Sequence, residues 1–308
     1  MLKFHSICAF LQDICLGLPQ PRRCGGGPPA AFPPRPDRRD STAGGLDIRL
    51  SVYGQTDRGL RRPKNEDDLA LVDLDTGQGI EPPSAQSIAV NGRGVLLAVC
   101  DGVGGRRAGE VASALAIQSL PEELDALGSN CARSEIFRTA VENVSRRVWQ
   151  ESRLDPVLEG MTTTLTAALI CRGRAVIAHV GDSRAYVLRG GVMRQITRDH
   201  SYVAEMVASG ALTREEAEKS PYRNVILQAV GQKKGLEVAL DAVELVPGDT
   251  LLLCTDGLSE KVPPPEMARL LQSGSLREAC EALVALANER GGEDNITVLI
   301  GRIEEEAR

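Results

Sequence analysis

Two apolar runs in this chain end on the same pair of residues: Val95–Cys100 leads into Asp101 and Gly102, and Leu251–Thr255 leads into Asp256 and Gly257. A carboxylate held at the end of a buried strand, beside a glycine that lets a ligand approach the backbone, suits a hard cation. More acids stand in similar surroundings: Glu66 and Asp67 in Asn65-Glu-Asp-Asp68, Asp182 in Gly181-Asp-Ser-Arg184, and Asp294 in Gly292-Glu-Asp-Asn295. Brought together, they would form an oxygen-rich pocket for Mg2+ or Mn2+, which take carboxylate, carbonyl and water ligands. Zinc fits poorly. A single Asp-Gly pair is more often a turn than a ligand, because both residues favour turn conformations. Five acidic sites behind apolar or turn segments point instead to divalent-metal hydrolysis or group transfer.

The elements that must converge these acids read as strands over Asp47–Tyr53, Val95–Cys100, Thr163–Ile170, Ala175–Val180, Ala185–Leu188, Thr250–Cys254 and Ile296–Ile300. Helical periodicity covers Gly109–Leu120, Ser134–Glu151, Tyr202–Ser209, Glu266–Gln272 and Leu276–Glu289. Strand runs interrupted by long paired helices predict an α+β layered fold. With 308 residues, 42% of them hydrophobic, the chain can bury one large core, so one domain plus a tail is expected. Aromatics make up only 3%, so that core must rest on Leu, Val, Ile and Ala.

The order of the acids within their motifs narrows the chemistry. In sequence come Thr56-Asp-Arg-Gly-Leu-Arg-Arg62-Pro-Lys-Asn-Glu-Asp67, Asp101-Gly-Val-Gly-Gly105 with Gly109-Glu-Val-Ala-Ser113, and Met161-Thr-Thr-Thr-Leu165. Gly181-Asp-Ser-Arg184, Asp199-His-Ser201, Cys254-Thr-Asp-Gly257 and Glu293-Asp-Asn-Ile-Thr297 follow. Over about residues 47–303 this series resembles the metal-dependent Ser/Thr protein phosphatases of the protein phosphatase 2C-like family, in their compact bacterial form. The resemblance implies a four-layer α-β-β-α sandwich of two antiparallel sheets flanked by helices. It places the metals in a cleft at one end, with a mobile flap over about residues 200–231.

The resemblance also implies roles. Asp101 matches the carboxylate that bridges two catalytic ions, and Gly102 the residue that lends its carbonyl. Glu66 matches a ligand of one ion, Asp256 and Asp294 ligands of the other, and Asp67 an acid that holds metal-bound water. Asp182 matches the acid of a third, weaker ion, with Asp256 as its partner. Arg62 matches the guanidinium that grips the substrate phosphate, a task suited to a planar fork that stays charged. On an extended segment Arg61 would face the other way; without the motif, both arginines could simply solvate a loop. Two cations roughly 3.5–4 Å apart can lower the pKa of a shared water toward neutrality, so no covalent protein intermediate is needed. The expected clients are phosphorylated proteins and a cognate Ser/Thr kinase, and the expected state is a cytoplasmic monomer.

Some positions depart from the family pattern. Val103 stands where eukaryotic members carry a histidine, and Arg106 where many bacterial members do, so the leaving-group proton is expected from metal-bound water. His200 matches a structural position, and His179 lies in the apolar run Ala175–Val180 and reads as a core residue. Ser220-Pro-Tyr-Arg-Asn-Val-Ile-Leu-Gln228 departs from the common pattern there, which predicts an altered substrate preference.

Composition bounds what remains. The net charge of −6, with much of the acidity in the proposed ligands, argues against a nucleic-acid surface. Residues 1–46 are rich in Pro and Gly and are expected to be a disordered tail ahead of a catalytic domain over 47–308. Met1–Leu18 is apolar but broken by His5, Gln12 and Asp13, too short for a membrane span. The eight cysteines contain no CxxC pair and suggest no disulfide framework, hence a reducing compartment. His5, Cys8 and Cys15 are poorly spaced for zinc. Two rival readings stay open: a haloacid-dehalogenase-like phosphatase built on Leu71-Val-Asp-Leu-Asp-Thr-Gly77, and a silent module that binds phosphoproteins without turnover.

Overall fold

The computed structural model describes residues 48–79, 86–90, 92–103, 108–128, 134–232 and 235–305. The strands are β1 (Ile48–Asp57), β2 (Asp67–Asp73), β3 (Gln78–Gly79), β4 (Gln86–Ala89), β5 (Val95–Val103), β6 (Thr162–Thr163), β7 (Leu165–Cys171), β8 (Arg174–Val180), β9 (Arg184–Arg189), β10 (Val192–Gln195), β11 (Ala239–Glu244), β12 (Thr250–Cys254) and β13 (Ile296–Glu305). The helices are α1 (Gly109–Ala126), α2 (Ser134–Leu154), α3 (Tyr202–Ala208), α4 (Arg214–Glu218), α5 (Asp256–Ser259), α6 (Pro264–Gln272) and α7 (Leu276–Glu289). One sheet runs β10-β9-β12-β13-β1-β4 and the other β11-β8-β7-β5-β2-β3, with β6 paired to β5. Every pairing among the described strands is antiparallel.

The period-two alternation of strands assigns the layers. In β5, Leu96, Ala98 and Cys100 face α1 and α2, where they meet Ala112, Ala116, Leu120, Val141, Val144 and Val148. The intervening Val95, Leu97 and Val99 face the other sheet and pack with Leu50, Val52, Leu251, Leu253 and Leu299. On the far side of that second sheet, Leu252, Cys254, Val298 and Ile300 pack against Met267, Leu271 and Leu283 of α6 and α7. The result is the expected α-β-β-α sandwich. Because each central strand is covered on both faces, its sequence reads as a continuous apolar run.

Several details differ from the sequence reading. The pattern gives no strand over Asp67–Asp73, yet β2 forms there and pairs with β5 so that Asp67 stands opposite Asp101 and Asp73 opposite Val95. That register carries Asp73 to the end of the sheet away from Asp101, where its carbonyl accepts the Gly77 N–H of a tight turn. The dehalogenase-like motif is therefore a hairpin turn. α1 continues through Pro121 instead of stopping at Leu120; burial of Leu120 and Leu124 offsets the hydrogen bond that proline cannot donate. α4 is added by a capping box between Thr213 and Glu216. Cys100, Cys254 and Cys280 are free and buried, but Cys171 is disulfide-bonded, so the cysteines are not all unpaired. The expected tail, the His5, Cys8 and Cys15 set, and Arg106 also lie outside the described residues.

Candidate active site

The acids meet at one end of the sandwich because strands from both sheets end there. Asp67 opens β2 and Asp101 lies near the end of β5 in one sheet, while Asp256 follows β12 and Asp294 precedes β13 in the other. Asp182 lies on the turn between β8 and β9, where the chain passes from one sheet to the other. Asp101 is central: burial first, and then the charges of Asp67, Asp256, Asp182 and Asp294, hold its carboxyl well above the ordinary range. Burial also raises Glu66, and Arg62 opposes that rise.

Local structure fixes each acid. Asp67 Oδ2 accepts the hydroxyls of Thr255 at 2.8 Å and Thr297 at 2.7 Å, joining the two sheets through one carboxylate. Its carboxyl is still pushed up to about 8, because burial outweighs the two threonine bonds. Asp256 is pushed up to about 7 by burial and by Asp294, against a hydrogen bond with Asp101. The Asp101 N–H donates to Thr164 Oγ1 at 2.9 Å, and Thr164 Oγ1 shares a hydrogen bond with Ser183 Oγ at 2.7 Å. Asp101 is thus tied to the Asp182 turn. Burial and Asp256 raise Asp182 in turn.

Gly102 serves by being small. A Cβ there would stand 2.2 Å from the Gly109 carbonyl oxygen, and one on Gly109 would stand 2.6 Å from the Gly102 carbonyl oxygen, so α1 starts in backbone contact with β5. The Gly102 N–H donates to the Glu66 carbonyl at 3.1 Å, and Ser113 of α1 donates to that carbonyl at 2.6 Å. Asn295 organises the loop before β2: its Oδ1 accepts the Glu66 N–H, and its Nδ2 donates to the carbonyls of Arg58 and Lys64. Thr255, Thr297, Asn295, Ser113 and Gly109 were not assigned roles from sequence, although each lies within or beside a quoted motif.

The eight residues expected at the site lie toward the same end of the sandwich. Arg62 lies at the mouth, with Nη2 2.6 Å from Asp294 Oδ2, and also feels Asp101 and Asp256. Asp67 Oδ1, Asp182 Oδ1 and Asp256 Oδ1 are buried without a hydrogen-bond partner. Buried carboxylate oxygens seldom go unpaired, and an oxygen-seeking dication would satisfy them. Among the described residues no three acids close on one point, and Asp294 is bonded to Arg62. The donor set, all oxygen with no sulfur or imidazole, fits Mg2+ or Mn2+.

His179 is buried against β7, bonded to Thr166 Oγ1 at 2.9 Å and pushed down to about 3 by burial. It is a core residue. His200 stacks on it at 4.7 Å, and its Nδ1 accepts the Gly181 N–H at 3.3 Å, which braces the Asp182 turn.

The comparisons agree with this geometry. Residues 85–296 match the model of the family described as Protein phosphatase 2C. A serine/threonine phosphatase stp of Listeria innocua is 39% identical over 252 residues, 80% of this chain and 93% of that protein. The crystal structure of serine/threonine phosphatase Stp1 from Staphylococcus aureus superposes with a TM-score of 0.73 at 31% identity, over 86% of this chain and 99% of that one. A structure of the catalytic domain of serine threonine protein phosphatase PstP, in complex with 2 manganese ions, gives a TM-score of 0.69 at 34% identity, over 83% and 99%. With two stacked antiparallel sheets, their outer helices and this run of matches, the chain belongs to the protein phosphatase 2C family and is a serine/threonine protein phosphatase of the compact bacterial kind.

Proposed function

We propose that this chain removes phosphate from phosphoserine and phosphothreonine in proteins, using two Mn2+ or Mg2+ ions held by its converging acids and a third, weaker one. When bound, such ions lower the pKa of water and offset charge on the phosphoryl oxygens. Glu66, Asp101 and the Gly102 carbonyl would hold one ion, Asp101, Asp256 and Asp294 the other, and Asp182 with Asp256 the third. The observation that carries the reading is the meeting of carboxylates from two sheets, three of them with a buried unbonded oxygen. Asp67, fixed through Oδ2 by two threonines, keeps Oδ1 to orient water. Arg62 would leave Asp294 and present its fork to the phosphate.

The finer reading is that the enzyme opposes a bacterial Ser/Thr kinase, as a cytoplasmic monomer whose domain spans 47–308. No helix among the described residues is long and apolar enough to cross a membrane. Three free buried thiols support a reducing compartment, and the Cys171 bond weighs against it. The first test is hydrolysis of a phosphothreonine peptide, which should require Mn2+ or Mg2+ and stop with chelator. Turnover by metal-free protein would refute the metal reading, and peptide binding without turnover would favour a silent module. A chain starting at Gly45 should keep its melting temperature and turnover; light scattering and cell fractionation test the monomer and the compartment.

A further inference from the structure

The segment 199–202 is hydrogen-bonded to two different parts of the molecule. At the turn between β8 and β9, the His200 N–H donates to the Gly181 carbonyl at 2.7 Å and the Gly181 N–H donates back to His200 Nδ1 at 3.3 Å, so the residue before Asp182 is held at two points. Two residues after Asp182, Arg184 spreads its fork over Asp199, with Nε 2.9 Å from Oδ1 and Nη2 2.6 Å from Oδ2. That carboxylate is only 13% exposed and also accepts Gln195 Nε2 at 3.2 Å. The turn has little room to shift. A Cβ on Gly181, at φ +109°, would stand 2.6 Å from Thr164 Cγ2, and Thr164 is the residue whose hydroxyl takes the Asp101 N–H.

The same four residues also hold the stretch 222–227. The His200 carbonyl accepts the Leu227 N–H at 2.7 Å, the Tyr202 N–H donates to the Val225 carbonyl at 2.8 Å, and Ser201 forms an isolated antiparallel bridge with Ile226. Tyr202 meets Tyr222 edge-on at 5.7 Å. His200 thus gives its amide to the Asp182 turn and its carbonyl to 222–227, and one residue joins the two.

We propose that Asp199 and His200 are positioning residues that couple the Asp182 turn to the stretch 222–227, which bears the exposed Tyr222 and Leu227. The inference rests on the metal-dependent phosphatase reading above. With an ion on Asp182 the Gly181 peptide is fixed, and His200 and Asp199 pass that order on to 222–227. By linkage, a well-seated 222–227 strengthens the hold of Asp182 on its ion by the same factor. Partners that orient a metal ligand matter in proportion: their loss typically costs about 10- to 100-fold in metal affinity.

The test follows amide hydrogen exchange of the full chain by mass spectrometry, with chelator and with Mn2+, beside titration calorimetry with Mn2+. In the wild type, Mn2+ should slow exchange at the Leu227 and Tyr202 amides about 5-fold or more, the lower end of coupling between two sites. In Asp182→Ala that slowing should be lost although the paired ions still bind. Asp199→Asn with His200→Phe keeps a ring against His179 but removes the fork's partner and the Nδ1 acceptor. The weakest Mn2+ site of that variant should lose about 10- to 100-fold in affinity, while protected β7 amides show an intact fold. Leu227→Pro removes the N–H that meets the His200 carbonyl, without touching the Asp182 turn, and should weaken the same ion site. Slowing that is absent in the wild type or unchanged in Asp182→Ala would overturn the proposal while leaving the phosphatase reading intact. So would an unaltered Mn2+ titration in both Leu227→Pro and the double variant. A wild type that binds no Mn2+ would remove both.

Discussion

Arg62 and Asp294 meet two competing demands. They bond each other at 2.6 Å, yet the carboxylate is suited to a cation and the guanidinium to phosphate. Arg62→Ala should therefore have two effects: kcat/KM falls by about 1.5–3 kcal/mol, mostly through KM, as when a charge-assisted hydrogen bond to substrate is lost. Mn2+ should bind at least as tightly as to the wild type, because Asp294 is freed. Arg62→Lys keeps the charge but loses the fork and should fall between. Steady-state kinetics and titration calorimetry check the two effects separately. A loss in kcat alone, with KM unchanged, would contradict a phosphate clamp.

At the scale of elements, the contact between β5 and the start of α1 sets where Gly102 presents its carbonyl. Gly109→Ala would drive a methyl into the Gly102 carbonyl, and the backbone must give. A cost of about 1–3 kcal/mol is expected for such overpacking. Chemical denaturation measures that loss, and a matching fall in Mn2+ affinity would show that the displaced carbonyl matters to the site. The same contact shows what sequence reasoning reaches. The acids were legible because each sits in a short local motif, and the layers because both-face burial leaves apolar runs. β2 was missed because its first residues are acids, whose place in a strand depends on β5 as partner. The roles of Thr255 and Thr297 were hidden because the oxygen they bond lies 188 and 230 residues away in the chain. Propensity is local and such pairings are not.

For the whole molecule, the raised acids make stability depend on pH. Asp67 is pushed up to about 8 and Asp256 to about 7, from an ordinary value of about 3.9. Between these limits the folded metal-free chain holds protons that the unfolded chain has released. Its stability should therefore fall as pH rises from about 4 to about 8. Mn2+ competes with those protons for the same oxygens, so the rise in Tm on adding Mn2+ should grow over the same range. Calorimetry near pH 5 and near pH 8, with chelator and with Mn2+, checks both slopes. A chelated Tm that is flat or rising with pH would contradict the assignment.

The junction of the two sheets at Asp67, Asp101, Asp256 and Asp294 has a cost that turnover alone justifies. Burial and mutual repulsion act against Asp101, Asp256 and Asp182 wherever no cation sits among them, so the features that make the cleft useful also cost stability. Asp101→Asn keeps the shape and removes the central charge. The metal-free variant should melt above metal-free wild type at about pH 8, by about 2–4 °C for each kcal/mol of relieved repulsion. It should also lose at least about two orders of magnitude in rate. A Tm at or below wild type would show that the acids are not in conflict. Loss of activity by this route makes the fold sturdier, so lineages freed from the need for catalysis have a downhill path to an inert, more durable version of the same sandwich.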